Sequence, residues 1–270
     1  MVSVLHSVAA QGDDQQFLQT LSDGLNVQEV ERLQDALVFA RHVYGEAALG
    51  SGEGIGSHAF GMALIVAGLK LDADARLAAL LFAVPAYDEQ GGERIEARFG
   101  SDVAQLVQGG FRLHRLRPIT RGFMAGSSEG GNNHPQETRA QVEVLRKMLL
   151  AMVEDIRVVL LRLASRTQTL RYCAAHPDEL RVEVAKETLA LYSPLANRLG
   201  VWELKWELED LSFRFLHPET YKKIARMLDE KRIERELFIA DAITRLKKEL
   251  SALGITAEVY GRPKHIYSIW

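Results

Sequence analysis

Residues 57–85, SHAFGMALIVAGLKLDADARLAALLFAVP, decide the fold class. Apolar side chains occupy almost every position of two stretches, 57–71 and 73–84, split by the polar step at residues 70–72. That pattern predicts two core helices, because a helix that is apolar all round must be buried. Pro85 is expected to stop the second helix. Working upstream, Asn26 and Glu29 form a capping box for a helix over 27–44, with Gly45 in the place of a C-terminal glycine. Downstream, 93–99 and 102–113 continue the helical pattern, the latter capped by Ser101 and weakened by Gly109 and Gly110.

Residues 118–137 interrupt the pattern. Their core, GSSEGGNNHPQE, holds turn-forming residues and no large apolar side chain, so it reads as a mobile surface loop, an unstructured connection more readily than an active-site lid. Helical periodicity resumes at Gln141 and predicts two helices broken near Asp155. A further helix ends at 197–200. Trp202, Trp206, Leu208 and Phe213 then supply apolar packing surface, and Pro218 opens an amphipathic stretch to about Leu253. After Gly254, Ile255, Ala257 and Val259 alternate as a strand would.

Of 270 residues, 47% are hydrophobic and 26% charged, with 7 prolines, which is enough apolar material for one or two cores. The net charge of −3 gives no general basis for binding nucleic acid or an anionic membrane. The one cysteine, Cys173, excludes an internal disulfide and a cysteine-based zinc site and reads as a small buried residue. No apolar run approaches the ~20 residues of a membrane span, and the opening MVSVLHSVAAQGDDQQ turns acidic too early for a signal peptide. A soluble, cytoplasmic protein without membrane contact is expected.

Three long segments, LRKMLLAMVEDIRVVLLRLA (145–164), ETLALYSPLANRLGVWELKWELEDLSFRFLHPETYKKIA (187–225) and AEVYGRPKHIYSIW (257–270), resemble the RelA/SpoT homologue family. The resemblance implies an all-α, HD-hydrolase-like domain over 1–196 and a helical connector over 197–254. It also implies a short β/loop start of an α/β synthetase domain over 255–270, cut off there. In bifunctional members the first domain removes the 3′-pyrophosphate of (p)ppGpp with Mn²⁺. The ion is held by a histidine, a His-Asp pair and the aspartate of an LADRLHN motif.

Set against that pattern, His58 is the one ligand retained. The His-Asp pair falls on Phe82 and Ala83, and the distal aspartate on Ser165. A following acidic pair, associated with water activation, falls on Ala86 and Tyr87. The LHN asparagine falls on Thr169, with Gln168 beside it, which removes the usual base contacts. Ser51, Gly52 and Glu53 match the family's RKSGE loop, but Leu49 replaces its arginine and Gly54 its following proline. A hydroxide-generating ion needs several convergent imidazole and carboxylate ligands. His58 by itself therefore reads as a hydrogen-bonded core histidine, and no metal or other cofactor is expected in this chain.

In GRPKHIYSIW, Arg262, Lys264 and Ser268, with His265 between them, occupy positions that contact ATP in the family's synthetase domain. Arg offers a planar fork to phosphate oxygens and Lys a compact charge. The resemblance thus implies the N-terminal regulatory pseudo-hydrolase region of a GTP diphosphokinase of the stringent response. ATP and GTP or GDP would be its substrates, Mg²⁺ its ion, and the ribosome and uncharged tRNA would be met through C-terminal domains absent here. Two alternatives stand beside it. One is a nucleotide-sensing module using the vacated pocket, with Arg41, Lys147 and Arg166 as phosphate contacts. The other is a residual Mn-dependent hydrolase.

Overall fold

The computed structural model describes residues 14–115, 155–178, 180–230, 232–261 and 264–270. The 118–137 loop, the helix expected from Gln141 up to residue 154 with Lys147, and Arg262 lie outside the described residues. Among those described, the chain is helical, with a single bridge pair, Ala48 with Gly54, and no sheet.

The first half holds α1 (Asp14–Leu21), α2 (Val27–Tyr44), α3 (Ile55–Gly68), α4 (Ala73–Leu80), the one-turn α5 (Val84–Tyr87), α6 (Gly91–Phe99) and α7 (Ser101–Arg115). After these come α8 (Ile156–Ala175), α9 (Leu180–Glu187), a π-turn over Thr188–Tyr192, α10 (Ser193–Arg198), α11 (Trp202–Leu216), α12 (Pro218–Glu230) and α13 (Arg232–Ala252). The expected capping box is present, with Asn26 accepting from the Glu29 N–H and Glu29 accepting from the Asn26 N–H. The break near Asp155 is the N-cap of α8, where the Asp155 carboxylate accepts the Arg157 N–H.

Helix α8 is the shared wall of the domain, packing on α3, α4 and α7 on one side and on α9 and α11 on the other. The apolar stretch that predicts the fold fills the centre: Leu64, Val66, Leu77 and Leu80 are wholly buried. Gly109, read from the sequence as a weak point of its helix, lies where α7 meets α8. A Cβ there would stand 2.9 Å from a methyl of Val158, so the glycine sets the distance between the two helices. Cys173 is buried, and burial pushes its thiol pKa up.

Two expectations are corrected. Pro85 does not end a helix: α4 already stops at Leu80, and Pro85 sits in the first turn of α5, where its missing N–H costs nothing. The alternating Ile255, Ala257 and Val259 form no strand. Alternation describes one face of a pleat, but a strand exists through ladder bonds to a neighbour, and among the described residues none lies alongside. Trp202 is 49% exposed and stacks one face on Trp206.

Tyr44 ties α2 to the turn between α4 and α5. Its buried hydroxyl donates to the Leu80 carbonyl at 2.9 Å and accepts the Ala83 N–H at 3.2 Å. Burial pushes the pKa of this hydroxyl far up, so it stays neutral. Tyr44→Phe leaves both backbone groups unpaired. It is expected to lower stability by about 1–3 kcal/mol, read from the urea midpoint at unchanged slope; an unchanged midpoint would show that the hydroxyl is dispensable.

Candidate functional site

The loop between α2 and α3 is pinched shut. Leu49 N–H donates to the Glu53 carbonyl at 2.8 Å, and Ile55 N–H to the Ala47 carbonyl at 2.9 Å. The pinch turns the Glu53 side chain inward, where it is 2% exposed. His58, one turn into α3, is 1% exposed. Its Nδ1 lies 2.7 Å from Glu53 Oε2 and its Nε2 lies 2.9 Å from Ser165 Oγ on α8. Glu53 Oε1 accepts a hydrogen bond from Gln168 Nε2 at 2.7 Å. With Glu53 as carboxylate, Nδ1 carries the proton and donates, which leaves Nε2 to accept from the Ser165 hydroxyl.

The sequence-derived site is thus brought together in part. His58, Phe82 and Ser165 border one cavity of about 350 Å³, with Thr169, Arg162 and Arg166. The Phe82 ring, partly buried, stands 5.2 Å from the imidazole. Ala83, Ala86 and Tyr87 border a second, mostly apolar cavity of about 140 Å³, which shares Leu49, Phe82, Arg162 and Ser165 with the first. Arg41 borders neither; its guanidinium lies over the Phe60 ring at 5.4 Å.

The sequence reading places Glu53 in the former nucleotide loop and Gln168 beside the LHN position, without their roles in this network, and does not assign Arg162 or Tyr192. Gln168 falls one helical turn after Ser165, so helical spacing could have found it. Glu53 could not be found that way, because a loop, and not a helix face, presents it. Gly61 makes room for this network. It lies one turn after His58, and a Cβ there would overlap the Gln168 carboxamide.

Behind the larger cavity, the π-turn aims Tyr192 at α8. Arg162 Nη2 donates to its hydroxyl at 3.1 Å, and the Arg166 guanidinium lies 4.2 Å from its ring centre. Burial would push the Tyr192 hydroxyl pKa up, but the two arginines outweigh it and hold it below the usual value. Arg166, 2% exposed, pairs with Glu187 through Nη2 at 2.6 Å.

The C-terminal segment docks on α11. Asp210 accepts the Tyr267 N–H at 2.9 Å and faces His265 Nδ1 at 3.2 Å, while the His265 ring stacks on Trp206 at 4.9 Å. Trp270 packs on Phe213 and His217. Lys264 and Ser268 point into solvent. Helix α11 is itself fixed to α8 by a two-pronged bond from Arg171 to Glu207, at 2.5 and 2.9 Å.

A family model described as "HD domain" matches residues 36–202. Over 209 residues the chain is 41% identical to the GTP pyrophosphokinase of Escherichia coli K12, covering 77% of this chain and 27% of that protein. Two relatives named guanosine-3′,5′-bis(diphosphate) 3′-pyrophosphohydrolase follow. The one from Aquifex aeolicus is 36% identical over 90% of this chain and 32% of its own length. The one from Haemophilus influenzae is 40% identical over 86% and 32%. The chain belongs to the RelA/SpoT family. It spans roughly a quarter to a third of the length of the curated relatives it matches.

For a RelA/SpoT-type HD site, the question is whether these side chains fit a divalent ion. They offer one imidazole with both nitrogens engaged and a Glu53 carboxylate already bonded to it and to Gln168, with a phenyl ring, a methyl group and a hydroxyl at the other ligand positions. Among the described residues no group of three His, Cys, Asp or Glu side chains converges anywhere. This donor set does not fit Mn²⁺, which prefers oxygen and imidazole donors in octahedral number. No helix among the described residues is long and apolar enough to cross a membrane.

Two outcomes are expected. After dialysis, elemental analysis should find no stoichiometric manganese or zinc; one ion per chain, lost in His58→Ala, would overturn the donor-set argument. Gly61→Ala should push the Gln168 amide off Glu53 and lower stability by about 1–3 kcal/mol, as buried polar groups lose a partner. An unshifted melting temperature would mean that Gln168 rearranges freely.

Proposed function

We propose that this chain is the N-terminal region of a RelA-type GTP pyrophosphokinase, and that its HD domain is a pseudo-hydrolase kept for regulation. The observation that carries this reading is the packing of the Phe82 ring against His58, where the family's second imidazole ligand would stand. Without that ligand, the adjoining aspartate or the distal aspartate, nothing remains to generate hydroxide from a bound ion. The 1–196, 197–254 and 255–270 division belongs to the same reading. The basic segment with Arg262, Lys264, His265 and Ser268 would then bind the polyphosphate of ATP, while Mg²⁺ and the base for the 3′-hydroxyl of GDP or GTP would come from residues outside this chain.

A regulatory role is supported by the route from site to segment. Helix α8 carries Ser165 and also Arg171, which grips Glu207 of α11; one turn further on, Asp210 holds the backbone at Tyr267. A shift of α8 is passed to the segment carrying Lys264 through packed helices and charge-assisted bonds. Contacts with the ribosome and uncharged tRNA, and a place in the cytoplasm, belong to the same proposal for the whole protein.

A second reading, a nucleotide-sensing cavity, has one observation in its favour: Arg162 and Arg166 border the 350 Å³ space beside His58. Titrating ppGpp into this chain by calorimetry, with and without Mn²⁺, while assaying released pyrophosphate, separates the readings. No turnover in either condition is the expected result; Mn-dependent turnover would sink the pseudo-hydrolase, and saturable binding without turnover would favour the sensor.

In the full-length protein, Arg262→Ala with Lys264→Ala is expected to abolish most (p)ppGpp synthesis, and Arg262→Lys to restore it in part, because Lys lacks the bidentate fork. Lys264→Ala alone should move the stability of this chain by no more than about 0.5 kcal/mol, as for other solvent-facing substitutions. Full synthesis in the double variant would remove the ATP assignment.

A further inference from the structure

The Glu53–His58–Ser165 arrangement has the geometry of a nucleophile, its base and the group that orients the base. We propose that Ser165 is an activated nucleophile, and that the former metal site is a serine esterase centre for carboxylic esters with a short apolar acyl group. This inference stands apart from the proposed synthetase role and does not need it.

Each requirement of such a centre is met by a named atom. Ser165 Oγ is 2.9 Å from His58 Nε2, and His58 Nδ1 is 2.7 Å from Glu53 Oε2. These lie within the reach that proton transfer and base orientation need. Such a triad is recognised by geometry and roles, not by order in the chain. Glu53 is a positioning residue and is itself held by the Gln168 amide at 2.7 Å. Its carboxylate fixes the tautomer that leaves the Nε2 lone pair facing the hydroxyl.

The surroundings select the substrate. Ser165 borders both cavities, so a carbonyl carbon beside its Oγ would have its two substituents in different spaces. The smaller space, about 140 Å³ walled by Met62, Ala83, Ala86, Leu106 and Leu161, suits a short acyl chain. The larger, about 350 Å³, suits the alcohol portion. Arg162 borders both spaces and is already fixed by Tyr192, so it stands ready to stabilise charge on the carbonyl oxygen without reorganising.

The chemistry balances with water as the only co-reactant. Ser165 Oγ bonds to the ester carbonyl carbon as its proton passes to His58 Nε2. The carbonyl oxygen takes up the negative charge. Collapse breaks the bond to the leaving oxygen, which receives the proton from Nε2, giving a free alcohol and an acyl-Ser165. Water then attacks the acyl carbon, again giving its proton to Nε2, and the Ser165 oxygen leaves and recovers that proton. The net result is ester plus water giving acid plus alcohol.

The test uses the whole chain with a fluorophosphonate reporter and p-nitrophenyl butyrate. The expected result is one reporter per chain, mapped by mass spectrometry to Ser165, and a burst of p-nitrophenol near one equivalent. Both should vanish in Ser165→Ala, whose fold is verified by circular dichroism. Glu53→Gln should slow labelling by about 10-fold or more and alter its pH profile, since the tautomer is no longer held by a charge. A p-nitrophenyl octanoate substrate should react more slowly than the butyrate, because its chain exceeds the smaller cavity. An unlabelled Ser165 in the folded protein, or a burst that persists in Ser165→Ala, would overturn the proposal and leave the network as a cross-link only.

Discussion

A buried imidazole needs a partner for each of its nitrogens, and His58 finds them on two separate elements, the pinched loop before α3 and the middle of α8. That requirement organises the domain. Where a family relative could cross-link these elements through an ion, this chain does so through a carboxylate, an imidazole, a hydroxyl and a carboxamide in series. Every member of that series is at most 9% exposed, so the bonds act in a low-dielectric setting where they are strong and where a missing partner is costly. The closeness of α3 and α8, which fixes Phe82 and the two cavities, follows from keeping that series complete.

The fold was largely legible in the sequence because its signals are local. The Asn26–Glu29 capping box, the break near Asp155 and the apolar run at 57–84 each report on a single element and need no knowledge of neighbours. Pro85 misled because the same residue ends one helix and begins another equally well, and local pattern does not distinguish the two. The alternation at 255–259 misled for a different reason: a strand is a relation between two segments, and one segment cannot express it.

For the site, resemblance supplied His58, Phe82 and Ser165, and helical packing does bring those three together. Glu53 escaped because its role depends on a loop pinched by backbone bonds, Leu49 to Glu53 and Ala47 to Ile55, which leave no periodic trace. Tyr192 escaped for a related reason. Its direction is set by the π-turn at 188–192, a local departure from the helical period on which sequence reading relies. Arg166, offered by the sequence as a phosphate contact, is revealed as an interior group only by its buried partner Glu187.

That π-turn also constrains how the chain can change over evolutionary time. It carries the equivalent of one extra residue within an otherwise continuous run from α9 into α10, and one residue corresponds to about 100° of rotation around a helix axis. Losing a residue between 188 and 192 would restore ordinary helical winding, yet would swing Tyr192 away from Arg162 and Arg166 and turn the faces of α9 and α10 out of register with each other. The segment therefore accepts substitution far more readily than a change of length. Insertions and deletions in this lineage should accumulate in surface loops and leave these five positions intact.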